Sequence, residues 1–71
     1  MTKLELIGWK QGIQTVSVIE AVQNYSTTSL VRAKHLVEQV LGGHTVELTF
    51  ENETKMKEFK RIVEALGVIC R

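Results

Sequence analysis

Cys70 is the one thiol in this 71-residue chain, and His35 and His44 are its two imidazoles. Together they raise the question of a Cys–His nucleophile or a metal centre. A structural zinc site takes about four ligands, and a Cys–His nucleophile needs a third group to orient the imidazole. The sequence offers neither, so Cys70 reads as a small apolar residue of the core. Every acidic residue is Glu, which counts against calcium loops and phosphotransfer centres that rely on the short reach of Asp. The Gly42–Gly43 pair lacks the Lys and Ser or Thr that follow a phosphate-cradling glycine loop, and it reads as a helix stop. No enzyme activity, metal or cofactor is expected.

The cations give no nucleic-acid groove either. Lys55, Lys57, Lys60 and Arg61 alternate with Glu51, Glu53, Glu58 and Glu64 at ion-pair spacing, no stacking aromatics accompany them, and the formal net charge is only +1. Arg32, Lys34 and His35 form a smaller basic spot that fits the solvated face of a helix. Trp9 has two readings. With Ile7 and Ile69 it would share a sheet face that helices on the other side cannot cover, making an interface anchor. Alternatively, its ring folds over the rim of the core.

These residues must be positioned by six elements. In Lys3–Trp9, Leu4 and Leu6 alternate with Lys3, Glu5, Ile7 and Trp9, the period of a half-buried strand. Gly12 marks a loop, and TVSVIEAVQNY then sets Val18, Ile19 and Val22 on one helical face. Ser26 or Thr28 can cap a second helix that begins near Ser29. Its stripe of Leu30, Ala33, Leu36, Val37, Val40 and Leu41 is wide enough to cover a sheet and touch a neighbouring helix, before Gly42 and Gly43 end it. HTVELTF alternates as a strand, with Val46, Leu48 and Phe50 on one side. Asn52 can cap a third helix with Met56, Phe59, Ile62, Val63 and Leu66 inward and Gly67 as its stop, and VICR fits a final strand. The expectation is an α+β fold of order β-α-α-β-α-β, a three-stranded sheet covered on one face by three helices.

A chain of this length makes one domain, residues 1–71, and its composition is that of a folded globular unit. One cysteine excludes an internal disulfide, and the first residues carry no apolar run long enough for a signal peptide or membrane span. A reducing cytoplasm is the expected setting, with neither nucleic acid nor membrane as a direct partner.

The pattern Val16, Val18, Ile19, Ala21, Val22, then Leu30, Ala33, Lys34, Leu36, Val37, Glu38 resembles the "VxVIxAV…LxxAKxLVE" signature of the C-terminal domain of the bacterial large-subunit ribosomal stalk protein. That domain shares its fold with the S-type adaptor of the Clp protease. The likeness runs ungapped from Leu4 to about Glu38, includes Gly12, and continues past Gly43 in topology. It implies a non-enzymatic protein-interaction module whose first two helices dock a translational GTPase or another ribosome-associated factor, with Val16, Ile19 and Lys34 as the partner-binding residues. Thr15, Glu20 and Gln23 stand where the stalk domain carries basic residues, which implies weaker steering of an acidic partner and a changed specificity. The adaptor's Asn-Asp-Asp segment is replaced by GWKQG at Gly8–Gly12, so binding of N-terminal residues is not implied. The rival expectation is a homodimer or assembly protein pairing through the open sheet face around Trp9 with Ile7 and Ile69.

Overall fold

The computed structural model describes residues 2–26 and 28–71; the turn expected around Thr27 lies at the edge of these, with Thr27 itself outside them. Strand β1 (Thr2–Trp9) is followed by helices α1 (Thr15–Tyr25) and α2 (Leu30–Leu41), strand β2 (Val46–Phe50), helix α3 (Glu53–Ala65) and strand β3 (Val68–Cys70). The sheet order is β2-β1-β3 with both pairings antiparallel, so the first strand lies at the centre. This is the expected α+β architecture.

Alternation along the strands decides which face is covered. Leu4 pairs with Leu48 and Leu6 with Val46, and all four are buried under the helices, while Lys3, Glu47 and Thr49 stay exposed on the far side. Helices α2 and α3 lie against β1, and α1 packs chiefly on those two helices. Its inward residues Val18, Ala21 and Val22 complete a core that also takes in Ala33, Val37, Val40, Phe59, Val63 and Val68. Among the described residues no polar or charged side chain is buried, so the interior is held by apolar packing and aromatic contacts. Phe59 is the central piece: its ring centroid lies 5.1 Å from that of Phe50 and 6.1 Å from that of Tyr25, both tilted.

The helix starts confirm one expectation and correct another. Asn52 caps α3 by accepting a bond from the Lys55 N–H at 2.9 Å, and Glu53 follows in the first turn, where the helix dipole favours an anion. For α2 the cap is Ser29, whose hydroxyl accepts from the Arg32 N–H, and neither Ser26 nor Thr28 fills that role. The Ser26 hydroxyl instead donates to the Val22 carbonyl at the end of α1, which also accepts the Ser26 backbone N–H, the local back-bonding that Ser favours at a helix end. Of the two glycines after α2, Gly43 alone adopts positive φ, at 91°.

Gly67 does more than stop a helix. It has φ of 107°, and a Cβ placed on it would stand 2.9 Å from the Ile13 Cα. The close approach lets the Lys10 N–H donate to the Gly67 carbonyl at 2.7 Å and the Gln14 N–H to the Leu66 carbonyl at 2.9 Å. The loop before α1 is thereby tied to the turn after α3, and carbonyls at a helix end gain partners. Gly67→Ala should therefore destabilise the fold by about 3 kcal/mol, from left-handed strain plus displacement of Ile13. Gly12→Ala, at a similar φ of 90° but in open space, should cost about 1 kcal/mol. Chemical denaturation midpoints of the two variants against the parent check the contrast, and equal losses would show that the Ile13 approach contributes nothing.

Candidate functional site

The helical side carries the residues singled out by the sequence pattern. Val16 is 70% exposed on the first turn of α1, and Ile19, one turn later, is partly buried against the core. Lys34 lies on α2, exposed, and takes part in none of the ion pairs formed among the described residues. Two residues that sequence reasoning assigned to the covered stripe or passed over are also open. Leu30 is 56% and Val31 80% exposed, both in the first turn of α2. Leu30 has the right periodicity for burial, but the helix begins there, beyond the neighbours that cover Ala33 and Val37. Helices α1 and α2 pack directly on each other, and between them they leave Val16, Leu30, Val31 and the Lys34 ammonium group exposed.

The opposite side differs in kind. Glu5 and Glu47 face each other directly across β1 and β2, an arrangement that like charges disfavour. Lys3 offsets one of them, its Nζ 3.7 Å from a Glu47 carboxylate oxygen, and Arg71 offsets the other at 3.5 Å from Glu5. These exposed pairs are individually worth little, yet they make the face polar over most of its extent.

Trp9 is not placed with Ile7 and Ile69. A bulge between Leu6 and Gly8 in the β1–β3 pairing inserts one residue, so Gly8 faces Ile69 and Trp9 faces Val68, a core residue on the helix side. The Ile69 Cδ1 lies 3.6 Å from where a Cβ of Gly8 would be, which confirms that those two share the open face. The Trp9 ring, 44% exposed, folds over the rim instead, and its indole N–H donates to the Leu41 carbonyl at 3.1 Å, satisfying one of the last carbonyls of α2. Strict alternation cannot reveal this, because one inserted residue reverses the face of everything after it. The glycine at position 8, inside a strand, was the available signal.

The residues of potential chemistry stay apart. His35 shares a 3.4 Å contact with Gln39 on the same helix, and no group of three His, Cys, Asp or Glu among the described residues is arranged to hold a metal ion. Cys70 is partly buried against the core. Burial pushes its thiol up from the ordinary 9.0 to about 11, Glu64 adds to the rise and Lys60 opposes it. A shallow open depression along α3, lined by Thr54, Lys57, Glu58 and Arg61, belongs to a single helix surface. Among the described residues no helix is long and apolar enough to cross a membrane. No protein-family model matches the chain, and no curated protein matches it.

Folding thus favours the neutral thiol. An acid whose pKa is raised by folding is held in its protonated form, so the contribution is complete below 9.0 and is lost as pH rises from there through about 11. Ultraviolet thiolate absorbance should titrate near 11 in the folded chain and return toward 9.0 in denaturant, with alkylation slow at neutral pH. A folded midpoint at or below the ordinary value would refute the packing described for Cys70. Trp9→Phe keeps an aromatic ring and removes the donor, and should lower stability by about 1 kcal/mol in thermal unfolding.

Proposed function

We propose that this chain is a non-enzymatic protein-docking module whose α1–α2 side receives an amphipathic helix of a partner protein. The observation that supports this reading is the exposure of large aliphatic side chains on the first turns of these two helices, Val16 on α1 and Leu30 and Val31 on α2, together with Lys34 of α2, which forms no ion pair among the described residues. Burying a valine of this exposure contributes roughly 1.5 kcal/mol, so a few such contacts give a reversible affinity, and Lys34 draws in and orients an acidic flank of the partner. The resemblance of Val16–Glu38 to the ribosomal stalk C-terminal domain supports the same surface. It makes a translational GTPase or another ribosome-associated factor, in the cytoplasm, the first partner to try. Thr15, Glu20 and Gln23 in place of cations point to a specificity different from that of the stalk.

Docking through the helices is preferred to pairing of two copies across the open sheet face. That face carries the Lys3–Glu47 and Arg71–Glu5 pairs and, among the described residues, offers Ile7 and Ile69 for burial, while Trp9 has turned to the other side. Val16→Asp and Lys34→Glu, both at exposed positions, should each reduce capture of a translational GTPase by tenfold or more. Circular dichroism should show unchanged folding. Undiminished capture by both variants, or no capture by the parent chain, would remove this reading.

A further inference from the structure

The two edges of the sheet are unequal. Strand β3 is a three-residue edge beside the bulge of β1, the kind of short, irregular border that resists strand addition. Strand β2 is a regular edge of five residues, Val46–Phe50, without proline, bulge or inward-pointing charge. Its hydrogen bonds among the described residues run to β1 alone, which leaves the outward backbone N–H and C=O groups of one whole side unpaired by protein.

We propose that β2 is a strand-addition surface and that its occupant is β2 of a second copy, giving a weak antiparallel dimer with a continuous six-stranded sheet. The residues themselves choose the register. A two-fold axis at Leu48 pairs Leu48 with itself, Val46 with the second copy's Phe50, and Glu47 with the second copy's Thr49, using all five residues. An axis at Glu47 would set the two Glu47 carboxylates against each other, and an axis at Thr49 would set Glu47 against Glu51. Both alternatives place like charges directly opposite. With the axis at Leu48 each Glu47 also keeps its own Lys3, 3.7 Å away. The axis stands perpendicular to the sheet, so both helix layers lie on the same side and the alternation of covered and open residues continues across the junction. Because Val46, Leu48 and Phe50 are already buried in one copy, the gain is mainly backbone hydrogen bonding, which sets the affinity in the high micromolar to millimolar range.

Thr49 provides a test of sign. It is exposed, and its cross-strand neighbour within one copy is Lys3, whereas its neighbour in the dimer is Glu47 of the second copy. Thr49→Lys should tighten the dimer about fivefold through two symmetric Lys–Glu pairs, and Thr49→Glu should weaken it by a similar factor. The stability of the monomer should move the opposite way, since an introduced lysine would face Lys3 as a like charge and an introduced glutamate would pair with it. Sedimentation equilibrium up to millimolar concentration gives the dimer constants, and denaturation at low concentration gives the monomer stabilities. Opposite shifts in the two measurements support the Leu48 register. A parent chain that stays monomeric throughout, a dimer indifferent to both variants, or one that shifts the other way overturns the proposal. The docking variants at Val16 and Lys34 lie on other elements and should leave this equilibrium unchanged.

Discussion

Phe59 joins all the layers of the molecule. It sits on α3, fully buried, with Phe50 from the end of β2 on one side and Tyr25 from the end of α1 on another. The rings meet at tilted angles, which aromatic quadrupoles favour over face-to-face stacking, so the contact fixes orientation as well as distance. In a chain this short few side chains are large enough to reach three elements at once. The smaller Val and Ala residues of α1 and α2 then fill the space that this cluster leaves, and among the described residues the interior holds no polar side chain that would need a partner.

A core built this way sends its polarity outward unequally. The sheet has one covered face, and on the other the charged residues of β1 and β2 and the C-terminal Arg71 balance one another. The helices have more apolar positions than the sheet can cover, and the excess emerges at their first turns, where Val16, Leu30 and Val31 lie. Burial against the core, with Glu64 adding to the effect, holds the thiol of Cys70 in its neutral form.

Backbone carbonyls anchor two of the connections between distant segments. Gly67 brings Ile13 within contact and allows Lys10 and Gln14 to bond to the end of α3, while Trp9 reaches a backbone carbonyl at the end of α2 through its indole. Both links join residues far apart in the chain and close the helix layer onto the central strand. They limit how far α1 and α2 can shift relative to the sheet, which keeps the exposed aliphatic residues in a fixed arrangement.

The order of elements, their approximate limits and the covered faces of β2 and α3 were legible because periodicity is a local property. Val46, Leu48 and Phe50 alternate, Phe59 and Val63 recur at helical spacing, and Asn52 is a cap by virtue of its own short side chain. Ser29 was less legible, because several hydroxyl residues precede α2 and only the final path of the chain selects one of them. Leu30 kept the right period but lost its cover at the helix end. The face of Trp9 was decided by the bulge at Ile7 and Gly8, a consequence of pairing β1 with a strand at the far end of the chain. Sequence by itself determined what each segment can bury, since that depends on neighbours a few residues away. Tertiary structure decided which residues stay open and which edge stays free, since that depends on the segments that meet them.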